Sequence, residues 1–386
     1  MLQLQKTKTD VRGLEMRIGM IFLLLFSGLG FAGNCFPQNK NSPKTDDEVL
    51  RVNTQIVDVP IVVTDKAGKP LLNLKQSNFV VYEDGQRQEI SDFAATSAPF
   101  EVALLLDTSG STRSDLQLIQ RAAENFITSL RPGDKVSIIA FRSNVRDNKS
   151  VADCEILTAL TDDRNKLKNA LEQVKTSNGT PYYDALLTIA EKIFAGKPAN
   201  DFRGRRALVA LTDGVDSTSA ADFSEVREAF GRQGIVSYFI QVDTREFFEA
   251  NLLGDCEGAM RFSQAQIRRY YRTFYPKSNV EKIFDFCRLG DFERLDISKS
   301  LYQLADAEMQ NLARNSGGKV FPVADLSEAR TAFASVAREI GTKYSLGYYS
   351  SNEKRDGSYR KIKIELKGVP VGAQIRAREG YNAPAN

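Results

Sequence analysis

The sequence predicts an α/β fold: an open, mostly parallel, Rossmann-like sheet with helices on both faces, flanked by β-sandwich-like segments. Three observations predict it. Residues 100–342 alternate short, unbroken apolar runs with longer stretches of helical apolar spacing. Runs such as Val102-Ala103-Leu104-Leu105-Leu106 suit strands buried on both faces. Outside this span the pattern changes to short alternating segments bounded by turns such as Asp84-Gly85 and Asp356-Gly357.

In chain order, residues 1–33 form an export segment. Basic residues end at Arg17, Ile18 to Phe26 is apolar, and Gly30-Phe31-Ala32 fits a small-x-small cleavage rule with a cut after Ala32. The apolar stretch is short for a span of ~20 residues, so a cleaved signal is expected, with an uncleaved membrane anchor as the alternative. Lipidation at Cys35 is disfavoured by Asn34 before it. Residues 34–47 are polar and rich in Pro, Asn and Lys, a linker. Residues 48–96 form an amino-terminal β segment, with apolar runs Ile61-Val62-Val63 and Phe79-Val80-Val81-Tyr82 separated by the turn Asp65-Lys66-Ala67-Gly68.

The central strands are Val102–Leu106, Val136–Phe141, Ala207–Leu211, Val236–Val242 and Lys319–Val323. Helices are expected at Leu116–Leu130, Asp163–Val174, Tyr183–Phe194 and Phe223–Arg232, the last closed by Gly234. Residues 244–299 interrupt the rhythm as an insertion. Its run Arg268-Arg269-Tyr270-Tyr271-Arg272 mixes cations and aromatics, as single-strand nucleic-acid sites do. A helix that packs its aromatics and solvates its arginines is the favoured reading, so no nucleic-acid partner is expected. Residues 343–386 return to β, and the two β flanks, each short for a core of its own, are expected to pack on one another.

Composition removes several function classes. The net charge is +3 and provides no field for DNA or an anionic membrane. The chain has no histidine, which excludes Ser-His-Asp and Cys-His catalysis and His-ligated zinc. Any metal is held mainly by oxygen, which favours Mg²⁺, Mn²⁺ or Ca²⁺. Export permits disulfides among Cys35, Cys154, Cys256 and Cys287, and Cys256 with Cys287, which bracket one inserted segment, is the preferred pair. Free buried thiols remain the alternative.

The residues that carry chemistry follow central strands. Asp107-Thr108-Ser109-Gly110-Ser111 follows the first, and Asp213-Gly214 follows Ala207–Thr212. Ligand sites in open parallel sheets gather at the carboxyl ends of strands, so Asp107 and Asp213 should converge. A third loop supplies Asn178-Gly179-Thr180-Pro181. Each piece alone has a plainer explanation: Ser109 or Thr180 as a helix cap, Asp213-Gly214 as a turn. Their conjunction at strand ends points to a metal site of hard oxygen donors.

Asp107-Thr108-Ser109-Gly110-Ser111 resembles the Asp-x-Ser-x-Ser signature of von Willebrand factor A domains, and Thr180 and Asp213 match that family's later threonine and aspartate. The resemblance covers residues 100–342 apart from the insertion. It implies that Ser109, Ser111 and Thr180 coordinate the metal directly, that Asp107 and Asp213 hold it through water and hydrogen bonds, and that an Asp or Glu of a protein partner completes the shell. The flanks, at Val62-Val63-Thr64-Asp65, Phe79–Gln88, Tyr344–Tyr348 and Arg378-Glu379-Gly380-Tyr381, resemble exported "VWFA-related" proteins known largely from acidobacterial genomes. The expected function is therefore a non-enzymatic, metal-dependent protein-binding module that is periplasmic, cell-surface or secreted. The alternative is a structural component of the cell envelope whose metal only stabilises the fold. Catalysis is not expected, because hydroxyl ligands activate water poorly and no second acid–base pair accompanies the site; Glu101 and Asp216 are placed near it as structural residues.

Overall fold

The computed structural model describes residues 56–95, 98–109, 115–146, 149–196, 198, 205–277 and 285–385. The export segment 1–33, the linker 34–47, Cys35 and Ser111 lie outside the described residues. Among those described, no helix is long and apolar enough to cross a membrane.

The amino-terminal flank contributes β1 (Ile56–Thr64), β2 (Phe79–Glu83), β3 (Gln86–Gln88) and β4 (Ile90–Ala94). Asp84 and Gly85 both take positive φ, 48° and 85°, which lets β2 turn straight into β3. The central part follows as β5 (Glu101–Leu106), α1 (Leu116–Ser129), β6 (Lys135–Arg146), β7 (Lys149–Thr161), α2 (Arg164–Glu172), α3 (Tyr182–Thr188), β8 (Arg206–Thr212), α4 (Phe223–Gln233) and β9 (Val236–Val242). Then come α5 (Arg245–Ala250), α6 (Gln264–Phe274), α7 (Asp291–Ser316), β10 (Lys319–Val323) and α8 (Ala329–Ile340). The carboxyl-terminal flank contributes β11 (Tyr344–Tyr349), β12 (Tyr359–Leu366), β13 (Gln374–Ala377) and β14 (Gly380–Asn382).

The central sheet has six strands in the order β10-β9-β8-β5-β6-β7, parallel except for β7. Alternate residues of β5 face opposite layers. Val102, Leu104 and Leu106 pack with α1, α2 and α8, while Ala103 and Leu105 pack with α3, α4 and α7. The predicted α/β class is thus correct. β7 is a strand the sequence pattern does not announce: it is an antiparallel edge, pairing Phe141 with Cys154 and Ser143 with Ala152. An edge strand needs only partial cover, so its apolar residues form no continuous run. Burial pushes the Cys154 thiol on this strand up to about 12, which makes it a poor nucleophile.

The flanks interleave into two four-stranded antiparallel sheets, ordered β13-β1-β11-β4 and β14-β12-β2-β3. Both mix strands from the two ends of the described chain. Val57, Val59, Ile61 and Val63 of β1 alternate into a core shared with Phe79, Val81, Tyr344, Leu346, Tyr348, Ile362 and Ile364. The insertion has its own small core, including Leu252, Phe262, Ile267, Tyr270, Tyr271 and Phe286, beside a Cys256–Cys287 disulfide. Closing that 31-residue separation is worth about 4 kcal/mol in the chain-entropy treatment. Lys299 is not a boundary, since α7 runs through it. Ile297 and Leu301 of this helix face the insertion, whereas Met309, Leu312 and Ala313 face the sheet. A helix that changes partner along its length shows no single apolar stripe.

Arg205 and Lys343 tie the centre to the flanks. The Arg205 guanidinium donates to the carbonyls of Pro99 and Lys343, both at 2.9 Å, and lies over the Phe100 ring. Lys343 Nζ donates to the Gly317 carbonyl at 2.6 Å. Burial pulls the Lys343 ammonium down to about 7; Glu339 opposes this, and Arg376 and Arg205 add to it. An unfolded lysine titrates near about 10.4. Between these values the unfolded chain binds more protons than the folded one, so stability should rise with pH through that window. Urea titrations across the window are expected to show this rise in the wild type and a flatter line in Lys343→Met. Equal slopes would overturn the assignment.

Candidate metal centre

β5 and β8 lie side by side and end together, because the Asp107 amide donates to the Leu211 carbonyl at 2.9 Å. Asp107 therefore leaves β5 beside Thr212, whose hydroxyl donates to Asp107 Oδ2 at 2.7 Å. The Ser109 amide donates to Asp107 Oδ1 at 3.0 Å, and the Ser109 hydroxyl also bonds this carboxylate. Thr212 Oγ1 in turn accepts from the Gly214 amide at 2.9 Å. Gly214 takes φ 74°, and a Cβ there would come within 2.8 Å of the Met309 side chain, so both backbone and space call for glycine.

Asp213 Oδ1 accepts from the Val215 amide at 2.9 Å, and its Oδ2 accepts from the Thr244 hydroxyl. Thr244 is in contact with the Tyr302 hydroxyl at 2.8 Å, so the two ends of the insertion region clamp Asp213. The third loop is locked onto the first two. The Ser177 amide donates to the Thr108 carbonyl at 2.8 Å. The Thr180 amide donates to Ser217 Oγ at 2.8 Å, and the Ser217 amide donates back to the Thr180 carbonyl at 2.9 Å.

Thr180 is not a helix cap. Pro181 holds that position, and the Tyr182 amide is taken by Asp216 Oδ1 at 2.9 Å. The Thr180 hydroxyl, on a buried residue, has no hydrogen-bond partner among the described residues. Asp216 thus braces the loop that carries Thr180. Glu101 is elsewhere: it lies at the opposite end of β5, where it pairs with Arg206 at 3.2 Å. Its placement near the site from sequence is corrected, because a six-residue strand carries its two ends well apart.

Burial raises the Asp107 carboxyl, against the bonds from Thr212 and Ser109. Asp213 is pushed up to about 7, first by burial and then by the charge of Asp107, with Thr244 opposing. Asp213 makes no ion pair among the described residues. The buried Tyr182 hydroxyl has no hydrogen-bond partner and is pushed up by burial and then by Glu308, Asp107 and Asp213. A buried and a half-buried carboxylate that repel each other, near an unsatisfied hydroxyl, are a place where a small divalent cation would be stabilised. Among the described residues no three Cys, Asp or Glu side chains converge as a metal group. The donor set here has two carboxylates supplemented by hydroxyls, which suits a hard cation.

Asp216 is the structural support expected from the sequence, whereas Thr212, Thr244 and Tyr302 are supports that motif reading passes over. A hydroxyl residue closing an apolar strand directly before Asp213 is a usable signal for Thr212. Nothing local links Thr244 or Tyr302 to Asp213.

Sequence and structure comparisons complete the picture. No curated protein matches this sequence. Among solved structures, the chain is similar to a conserved hypothetical protein, BatB, of Bacteroides thetaiotaomicron, at 18% identity and TM-score 0.36, covering 62% of this chain and 98% of that one. It is similar to a von Willebrand factor type A protein of Catenulispora acidiphila, at 12% identity and TM-score 0.41, over 86% of this chain and 75% of that one. Proximal thread matrix protein 1 of the mussel byssus is similar at 12% identity and TM-score 0.40, over 70% of this chain and 51% of that one. The family model of the von Willebrand factor type A domain matches residues 102–215, from β5 to just past Asp213. The chain therefore contains a von Willebrand factor type A domain.

Proposed function

We propose that this protein is a non-enzymatic, divalent-metal-dependent binding module that works outside the cytoplasm. Asp107, Ser109, Ser111, Thr180 and Asp213 would hold Mg²⁺, or Mn²⁺ or Ca²⁺, and an Asp or Glu of a protein partner would complete its shell. Domains of this type are generally protein-interaction modules. The observation that carries the reading is that Asp107 and Asp213 leave adjacent strand ends and repel each other, while the loop carrying Thr180 is hydrogen-bonded to the segments that follow both. A bound cation concentrates positive charge where a partner carboxylate arrives, and its role there is attraction and orientation. With no histidine to serve as a base near neutral pH, the site favours binding over hydrolysis.

The basic-then-apolar start of the sequence and the Cys256–Cys287 disulfide support export to an oxidising compartment. The flank resemblance to exported acidobacterial proteins agrees with this. A second reading, a metal that only stabilises an envelope component, draws on the clamp of Thr244 and Tyr302 on Asp213.

Calorimetric titration of the full chain with Mg²⁺, alone and in acetate, tests the proposal. Acetate stands in for the partner's carboxylate. One site of micromolar to millimolar affinity, tightened by acetate, is expected. Absence of binding in both conditions would sink the proposal, and binding indifferent to acetate would favour the structural reading.

A further inference from the structure

A cavity of about 240 Å³ lies where the central domain meets the β-sandwich. Phe230, Ile235 and Leu312 line it from the central domain, and Tyr359 and Tyr381 from the sandwich. It opens near the amino end of β9, so roughly 15 Å of strand separates it from the metal centre.

Two guanidiniums line this cavity. Arg227 is exposed on α4 and forms no hydrogen bond or ion pair among the described residues. Arg378 is 8% exposed. Its Nε and Nη1 donate to the carbonyls of Gly380 and Asp58, both at 3.1 Å, and its Nη2 has no acceptor among the described residues. Among the described residues no carboxylate forms an ion pair with it; the Asp58 charge acts at longer range. The Ser237 hydroxyl, also in the lining, is wholly buried without a hydrogen-bond partner. A buried cation and a buried hydroxyl are ordinarily satisfied. The carboxyl ends of α4 and α7 reach the same wall through Gly234 and Ser316. Their negative partial charges, about half a unit each, and the Asp58 carboxylate offset the guanidinium charge at longer range, so an anion would be held by direct pairing with the guanidiniums.

We propose that this cleft binds a small organic carboxylate, held by Arg227 and Arg378, with its apolar body against Phe230, Leu312 and the tyrosines. Clefts between domains, mostly apolar with a few convergent polar groups, are where small ligands settle. The modest volume limits the ligand to about the size of a single ring. Because its walls come from both lobes, the ligand would also tie the sandwich to the central domain.

The test is calorimetry of the full chain with benzoate and with its uncharged isostere benzamide, in chelator so that the metal centre takes no part. Benzoate is expected to bind at least about tenfold more tightly than benzamide, the worth of charge-assisted pairing. Arg227→Gln, at an exposed helix position, is expected to weaken benzoate by about tenfold and leave benzamide unchanged. Equal binding of the two probes, or benzoate affinity unchanged in Arg227→Gln, overturns the proposal.

Discussion

Asp107→Asn is expected to remove Mg²⁺ binding while leaving the metal-free protein folded. Asparagine keeps the shape and one acceptor oxygen for Thr212 Oγ1 or the Ser109 amide. It also deletes a buried carboxylate, and the charge of Asp107 is among the causes that push Asp213 up to about 7. Losing that repulsion offsets the weakened hydrogen bonds, so the melting temperature without metal should shift little. With metal the two proteins should part. At a Mg²⁺ concentration of 100 times Kd the wild type gains about 2.7 kcal/mol, and the variant should gain nothing. Thermal melts with and without Mg²⁺, run side by side, give the answer. Equal Mg²⁺ stabilisation of both proteins would place the metal elsewhere.

Glu83→Ala is expected to have the largest effect on stability, about 3–5 kcal/mol, because it strands a buried guanidinium. Glu83 is 2% exposed, and its Oε2 accepts from the hydroxyls of Tyr348 and Tyr381 at 2.7 and 2.9 Å. Its Oε1 takes the Ser350 hydroxyl and Arg360 Nη1, the latter at 3.3 Å. The carboxylate belongs to β2 of the amino-terminal flank, while every donor belongs to the carboxyl-terminal flank. Removing it leaves the buried Arg360 charge with neutral partners only: the Ser350 and Tyr381 hydroxyls and the Asn352 and Lys354 carbonyls. Urea unfolding should show a lower midpoint, with Glu83→Gln between the two because it keeps an acceptor. A cost under about 1 kcal/mol, as for an exposed pair, would mean that this network does not hold the flanks together.

Local pattern made some elements plain and hid others. Val236–Val242 and Lys319–Val323 are strands to the residue, and α4 closes at Gly234, which takes φ 63°. These signals are carried within a few neighbouring residues: unbroken apolar runs for strands buried on both faces, and a left-handed glycine after a helix. β7 and α7 were obscured for the opposite reason. One is an edge strand and the other changes partner from insertion to sheet, so neither needs a uniform apolar face.

The sequence by itself determined the α/β class and placed Asp107, Ser109 and Asp213 on loops that follow strands, with Thr180 on the loop between two helices; that their oxygens hold a metal is the proposal made from that pattern. It could do so because strand periodicity and hydroxyl–carboxylate spacing are local properties. Only the tertiary structure decided which support each donor receives: Thr212 on Asp107, Thr244 and Tyr302 on Asp213, Ser217 and Asp216 around Thr180. It alone joined Glu83 to Arg360, 277 residues away, and brought Arg227 and Arg378 to one cleft. A buried charge is stabilised by whichever dipoles packing brings to it, and packing is set by the whole core, which no short window of sequence contains.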